Sequence, residues 1–186
     1  MRKVILYIST SIDGFIADKV GSVDWINGQD ENYESDYGYN NFIKNIDTVI
    51  LGHNTYRQIV EELSPKDWIY KELNSYVFTK KNLSDKENIK FINEDIISFI
   101  KKLKKQEGKD IWICGGANIV NQLVKENIID EYHITIIPII VGNGIRLFIE
   151  NDINIKLRLK ESKVENGIIT NIYVKREDCN KQYWMQ

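Results

Sequence analysis

DIWICGGANIVNQLV, residues 110–124, joins a strand-like half to a helix-like half through two adjacent glycines, Gly115 and Gly116. The first turn of a helix exposes unpaired backbone N–H groups at the positive end of the helix dipole. A phosphate binds such a turn well when no Cβ atom blocks its approach, and glycine also allows backbone angles closed to other residues. The stretch therefore predicts a phosphate-binding turn, although close packing of the helix on the sheet would explain the glycine pair equally well.

The same alternation of strand and helix runs along most of the chain. Strands are predicted in KVILYIS, DTVILG, NSYVFT and DEYHITIIP, and helices in NTYRQIVEEL and DIISFIKKLKKQ. This order is typical of an α/β protein with a mostly parallel sheet covered by helices on both faces. The last strands are predicted to form an antiparallel hairpin that turns at Asn166-Gly167. We expect one domain over residues 1–176 and a C-terminal tail over residues 177–186.

The charge and composition of the 186-residue chain exclude several classes of function. The formal net charge is −2, with acidic and basic residues mixed along the sequence, so we expect no nucleic acid as a partner. The apolar runs are too short to cross a bilayer, so we expect no membrane partner and a cytoplasmic protein. Two histidines and two distant cysteines give no metal-ligand spacing, and no metal site is predicted.

A second glycine follows another predicted strand. DTVILGHNTY places Gly52 between an apolar strand and a helix start, with Asn54 or Thr55 available to cap that helix. A third strand ends in Thr79, which is followed by Lys80 and Lys81. Because ligands of open α/β folds bind at the carboxyl edge of the sheet, these groups are predicted to line one binding site. The sequence contains neither the G-x-G-x-x-G fingerprint nor a P-loop.

Five segments carry a resemblance to a known family: STSIDGFIA, DTVILGHNTY, VFTKK, WICGGANIVNQLV and DEYHITIIPIIVGNGIRLF. In this order and spacing they resemble the dihydrofolate reductase-like family. They are most similar to its branch with the reductase domain of the bifunctional riboflavin-biosynthesis deaminase-reductase and its stand-alone relatives. The resemblance spans residues 3–175. It implies a three-layer α/β/α fold with a twisted mixed sheet, and an NADPH-dependent reductase that acts on a pterin- or pyrimidine-type small molecule.

The resemblance also implies which residues bind the cofactor. The paired glycines would lie at the pyrophosphate, often with a cis peptide between them, and Ile16 and Ala17 would contact the nicotinamide. The implied cofactor-binding residues are Ile16, Ala17, Gly52, His53, Asn54, Thr55, Thr79, Lys80, Gly115, Gly116, Ala117 and Asn118.

Two departures from the family pattern bear on the ligands. His53 stands where the family usually has an arginine that holds the 2′-phosphate, and a neutral imidazole binds phosphate less well than a guanidinium. Lys80 and Lys81 would compensate, so we expect NADPH, with NADH as the alternative. In the substrate loop, Trp25 is separated from the best candidate acid, Asp36, by the segment INGQDENYES, which resembles an insertion.

Trp25 and Asp36 are predicted to contact the substrate, and Asp36 is the predicted catalytic acid. A carboxyl group can relay the proton that reduction of a C=N bond requires. A helix-capping aspartate in a polar loop would explain Asp36 equally well. A catalytically inactive relative that only binds a nucleotide or a partner is the alternative function. A homodimer is also expected, because ITIIPIIVGNGIRLF supplies more apolar surface than one turn can cover.

Overall fold

The computed structural model describes residues 1–30 and 32–176, so the predicted tail, residues 177–186, lies outside the described residues. The strands in these residues are β1 (Val4–Ser11), β2 (Phe15–Asp18), β3 (Ile46–Gly52), β4 (Asn74–Phe78), β5 (Ile89–Ile92), β6 (Asp110–Gly115), β7 (Glu131–Ile137), β8 (Gly144–Arg146), β9 (Leu157–Glu165) and β10 (Ile168–Lys175). Eight of these described strands form one sheet in the order β5-β4-β3-β6-β1-β7-β10-β9. The remaining two, β2 and β8, form a small antiparallel sheet.

The pairing of the strands confirms the predicted mixed, mostly parallel sheet. Strands β5, β4, β3, β6, β1 and β7 run parallel to one another, and β10 pairs antiparallel with both β7 and β9. The closing hairpin turns at Asn166 and Gly167, which have φ values of +49° and +74°. Such angles suit an Asn-Gly turn, as the sequence predicts. Strand β9 forms one edge of the sheet and is exposed along nearly its whole length.

Helices cover both faces of the sheet, which gives the predicted three layers. They are α1 (Tyr39–Ile43), α2 (His53–Gln58), α3 (Ile96–Leu103) and α4 (Ala117–Lys125), and a π-helical turn (Ile59–Leu63) continues α2. Helices α3 and α4 pack on the face that carries Leu6 and Ile113. Helices α1 and α2 and the π-helical turn pack on the face that carries Ile5 and Trp112. Successive residues of a strand point to opposite faces, so these neighbouring residues enter different cores.

The loop between β2 and α1 is held against the turn of the closing hairpin. The side-chain oxygen of Asn166 accepts a hydrogen bond from the backbone N–H of Asp30 at 2.9 Å. Its Nδ2 donates to the Asp30 carbonyl at 2.9 Å and to the Tyr37 hydroxyl at 3.0 Å. Asp30, in the segment that resembles an insertion, is therefore held at the hairpin turn. Within the described residues, no helix is both long and apolar enough to cross a membrane.

Candidate functional site

A cleft of about 1220 Å³ runs along the carboxyl ends of five adjacent strands. Tyr7 of β1, Cys114 of β6, Gly52 of β3, Phe78 of β4 and Ile92 of β5 line it. In the sheet order these strands are neighbours, so the cleft crosses the parallel part of the sheet from its middle to one edge. This is the edge where open α/β folds bind ligands, as the sequence predicts.

The two glycine motifs face each other in the middle of the cleft. Strands β3 and β6 are paired so that Leu51 lies opposite Gly115. A Cβ atom on Gly52 would lie 3.6 Å from the backbone nitrogen of Gly116, and a Cβ atom on Gly116 would lie 3.2 Å from the Thr55 hydroxyl oxygen. The Gly115–Gly116 peptide bond is cis, as the resemblance implies. Both motifs thus border one narrow space that side chains leave open.

Helix α4 begins at this space without a side-chain cap. Gly116 is the residue before its first turn, and no side chain hydrogen bonds the helix start. Gly116, Ala117 and Asn118 all line the cleft, so the N–H groups of the first turn are available to a ligand. Gly115 itself is buried beneath them, with a φ of +127° that favours glycine.

Cationic side chains surround His53 at one end of the cleft, which we call the cation end. It consists of His53, Arg57, Lys80 and Lys81, all of which line the cleft. The His53 Nδ1 atom is buried and has no hydrogen-bond partner among the described residues. The pKa of His53 is lowered, first by burial and then by the positive charges of Lys81 and Arg57. His53 is therefore neutral near pH 7, and its buried Nδ1 atom has an unused capacity to hydrogen bond.

Arg57 was not predicted to be part of the site. It follows His53 by four residues and lies on the same side of α2, because residues four apart are neighbours on a helix surface. That spacing is the signal from which it could have been found. Its guanidinium group is 3.8 Å from Glu61 and remains exposed. Arg57 thus places a guanidinium group at the cation end, one turn further along α2 than His53.

Most of the predicted cofactor residues meet at the cleft. Ile16 and Ala17 lie in β2, a strand of the small sheet, and line the cleft from there. The predicted residues that line the cleft are Ile16, Ala17, Gly52, His53, Asn54, Thr55, Thr79, Lys80, Gly116, Ala117 and Asn118.

Trp25 and Asp36 are not brought to the cleft. The Trp25 indole N–H donates to the carbonyl of Ser22 at 3.2 Å and does not line the cleft. The Asp36 side chain is exposed and accepts backbone hydrogen bonds from Gly38 at 2.9 Å and Asn40 at 3.0 Å. These two N–H groups lower its pKa, so Asp36 is an ionised residue at the start of α1 and not a protonated donor. The structure therefore corrects the prediction that Asp36 projects into the substrate pocket.

Tyrosines occupy the end of the cleft where the acid was expected. We call it the tyrosine end and define it by Tyr7, Tyr39, Tyr70, Trp112 and Cys114, which all line the cleft. Local patterns do not single out Tyr7 and Trp112, because both resemble ordinary core residues of buried strands. Tyr70 follows an irregular segment, so no periodic pattern indicates which way its side chain points.

The sequence of the chain matches the model of the RibD C-terminal domain over residues 2–169. The chain belongs to the RibD C-terminal domain family. Two curated relatives come from Bacillus subtilis (strain 168). The uncharacterized protein YwjB is 45% identical over 163 residues, which cover 87% of this chain and 91% of YwjB. The uncharacterized protein YyaP is 32% identical over 183 residues, which cover 92% of this chain and 94% of YyaP.

A solved structure agrees with this assignment to the RibD C-terminal domain family. The crystal structure of a Shewanella sp. PV-4 protein named for riboflavin biosynthesis has a TM-score of 0.82 and 25% sequence identity. The match covers 94% of this chain and 99% of that protein. The predicted relation to the riboflavin-pathway reductase domain and the predicted fold are therefore confirmed.

The residues of the cleft fit the dinucleotide that RibD reductase domains use. The space between Gly52 and Gly116 would be filled by a Cβ atom, and the open first turn of α4 borders it. The buried Nδ1 of His53 lacks a partner among the described residues, and three cationic side chains line the cleft with it. A pyrophosphate and a further phosphate have the charge and size that these two places accept.

Cys114 lies beside the glycines but lacks the low thiol pKa that a nucleophilic cysteine needs. Burial raises the pKa of its thiol to about 11, and the hydrogen bond with Tyr70 offsets this only in part. The thiol therefore stays protonated at neutral pH, whereas nucleophilic attack needs the thiolate.

Proposed function

We propose that the chain is a reductase that binds NADPH along the cleft and reduces a pterin- or pyrimidine-type small molecule. The main support for the proposal is the pair of glycine turns at Gly52 and Gly116, which face each other across the cleft. The chain is also a member of the RibD C-terminal domain family. NADH is the alternative cofactor. When bound, the nicotinamide supplies a hydride, and the task of the protein is to hold it beside the substrate.

The chain divides this task among four parts of the cleft. The first turn of α4 would bind the pyrophosphate through its N–H groups, with the Thr55 hydroxyl beside it. The cation end would hold the phosphate on the adenosine side. Ile16 and Ala17 would form an apolar wall for the nicotinamide, and the neighbouring tyrosine end is left for the substrate.

A catalytically inactive relative that binds a nucleotide is the second candidate. The observation that favours it is the position of Asp36, because the predicted acid lies outside the cleft. Binding and turnover measured together separate the two candidates, since both bind a dinucleotide but only a reductase consumes it.

The first experiment is a titration with NADPH and with NADH, followed by tryptophan fluorescence. Trp112 lines the cleft, so a bound dinucleotide is expected to quench its emission. A turnover screen then follows NADPH oxidation with dihydrofolate, dihydropteridines and ribosylaminopyrimidines. Binding with turnover supports the reductase, and binding without turnover on any of them favours the inactive relative. Absence of binding by either dinucleotide would contradict both.

Removal of a lysine at the cation end is expected to alter the choice of cofactor. Lys81→Ala should weaken NADPH binding about tenfold or more and leave NADH binding unchanged, because a charge-assisted hydrogen bond contributes roughly 1.5–3 kcal/mol. Lys80→Ala and Arg57→Ala should act in the same direction. The measurement is the ratio of the two dissociation constants.

Lys90→Ala is the matched control for this ratio, because Lys90 is an exposed lysine of β5 that does not line the cleft. Equal affinity of the wild-type protein for NADPH and NADH would show that the cation end does not recognise the 2′-phosphate.

We also retain the homodimer as a proposal. Within the segment from which it was predicted, Ile140, Ile145 and Phe148 remain exposed, by 72%, 47% and 45%, and the next residue, Ile149, is exposed by 57%. These apolar side chains support a contact between copies.

A further inference from the structure

The tyrosine end is a pocket of aromatic rings with protic groups among them. Trp112 lies at its centre, with ring-centroid distances of 5.0 Å to Tyr70, 6.0 Å to Tyr39 and 6.3 Å to Tyr7. Cys114 follows Trp112 by two residues on β6, so its side chain points to the same face of the sheet. These five residues come from β1, α1, β6 and the segment before β4, and all line the cleft.

The hydroxyl groups of this pocket differ in how they are paired. The Tyr70 hydroxyl lies 3.7 Å from the Cys114 sulfur, a weak hydrogen bond in which either group can donate. The hydroxyls of Tyr7 and Tyr39 hydrogen bond no other residue that the structure describes. Two phenol groups at the cleft are therefore free to donate to a ligand.

All three phenols are neutral donors at physiological pH. Burial raises the pKa of Tyr7, and the negative charge of Asp36 raises it further. Burial also raises the pKa of Tyr39 and of Tyr70, and in both cases the neighbouring thiol of Cys114 contributes. Each hydroxyl therefore keeps its proton and offers it to an acceptor atom of a ligand.

None of the described carboxylates that line the cleft is buried. They are Glu62, Glu94 and Asp95, and all three are exposed. Glu94 and Asp95 lie just before α3, after strand β5 at the far side of the cleft from β1. A cationic ring that entered the tyrosine end would have no buried counter-charge among these residues, and burying an unpaired charge is strongly unfavourable. The charge of Asp36 acts on Tyr7, but its carboxylate is exposed and already accepts two backbone hydrogen bonds, so it does not form a buried ion pair with a ligand.

We propose that the tyrosine end selects an uncharged planar ring that carries carbonyl acceptors, with Tyr7 and Tyr39 as the residues that determine this specificity. Their hydroxyls donate to the carbonyl oxygens, and the rings of Trp112 and Tyr70 pack against the ligand. Rings that bind as cations, such as diaminopteridines, are excluded for lack of a buried carboxylate. The inference rests on the proposed function, because it assigns to this end the substrate of that reductase.

The test compares two probes with the same bicyclic skeleton. Lumazine, the 2,4-dioxopteridine, presents carbonyl acceptors and no charge, whereas 2,4-diaminopteridine presents amino groups and gains a proton when it pairs with a carboxylate. Isothermal titration calorimetry without dinucleotide, at pH 7, is expected to show at least about tenfold tighter binding of lumazine, which corresponds to about 1.4 kcal/mol. Equal or tighter binding of the diaminopteridine, or no binding of lumazine, would overturn the inference.

Variants that each lack one hydroxyl group then show which residues are responsible for the binding of lumazine. Tyr7→Phe and Tyr39→Phe should each weaken lumazine binding about three- to tenfold, the range of one neutral hydrogen bond. Tyr76→Phe is the matched control, since Tyr76 is a half-buried tyrosine that packs on Phe99 in the other core and does not line the cleft. Unchanged lumazine binding in both cleft variants would refute the assignment to these phenols.

A parallel NADPH titration of the same samples keeps this inference separate from the proposed function. If NADPH binds and the two pteridines do not differ, the selection is wrong and the reductase proposal stands. If lumazine is selected and no dinucleotide binds, the proposed function fails and the recognition by phenols stands.

Discussion

Gly52→Ala is expected to fold like the wild-type protein and to bind NADPH about a hundredfold more weakly, or worse. The backbone at Gly52 is extended, with φ −79° and ψ 156°, and any residue can adopt these angles. A Cβ atom there would lie 3.5 Å from the Ile119 side chain and 3.6 Å from the Gly116 nitrogen, which are ordinary contacts. The new methyl group would nevertheless occupy the space between the two glycine turns. A pyrophosphate kept out of that space loses two or more charge-assisted hydrogen bonds, each of roughly 1.5–3 kcal/mol.

Gly116→Val places a larger obstacle on the opposite wall. Its Cβ atom would lie 3.2 Å from the Thr55 hydroxyl oxygen, so this variant is more disruptive than Gly52→Ala. The dissociation constant for NADPH is measured by fluorescence quenching, and the thermal unfolding midpoint serves as the control for folding. A folded Gly52→Ala protein with wild-type NADPH affinity would rule out the glycine turns as the pyrophosphate site.

Glu131→Gln is expected to lower the free energy of unfolding by about 3 kcal/mol at pH 7. The Glu131 side chain is only 8% exposed, and it accepts hydrogen bonds from Lys3 at 2.7 Å and from His133 at 3.2 Å. Lys160 lies 3.5 Å away on β9. Burial alone would raise the pKa of Glu131, but the bonds from Lys3 and His133 outweigh it and lower the pKa from 4.5 to about 2.

The direction of the pKa shift of Glu131 determines the pH range in which its contribution to the free energy of unfolding is lost. Because folding lowers the pKa of Glu131, its contribution is fully present above pH 4.5 and disappears as the pH falls towards 2. Wild type and variant should therefore differ most at neutral pH and converge in acid. Urea unfolding at several pH values measures this, and Glu161→Gln, which alters an exposed carboxylate of β9, is the control. A constant difference between wild type and variant from pH 7 to pH 2 would show that the ionised Glu131 does not stabilise the fold.

The part of the site that could be predicted from the sequence consists of residues that directly follow an apolar strand. Gly52 and the Gly115-Gly116 pair each follow an apolar strand and precede a helix, so their position at the carboxyl edge follows from one short segment. Lys80 follows a strand in the same way. The parallel order of the sheet then brings these strand ends together, because the carboxyl ends of parallel strands lie at one edge.

The parts of the prediction that failed have three different physical causes. Asp36 was placed by its distance along the chain from Gly52, but the local N–H groups of Gly38 and Asn40 hold its carboxylate at the start of α1. The strands β2 and β8 were not predicted, because four and three residues are too few to show a period. Tyr39 becomes a cleft residue only because α1 packs beside Trp112.

Strand β9 bears on how copies of the chain behave at high concentration. The free edge of a sheet is a template on which another chain can add a strand, and β9 is such an edge among the residues that the structure describes. Arg158, Lys160 and Lys163 are exposed along it, and its pairing with β10 contains a bulge. A second copy that extended the sheet here would have to desolvate these charges and follow the irregular edge. We therefore expect β9 to resist fibre-like aggregation, which leaves ordered self-association to the apolar surface around Phe148.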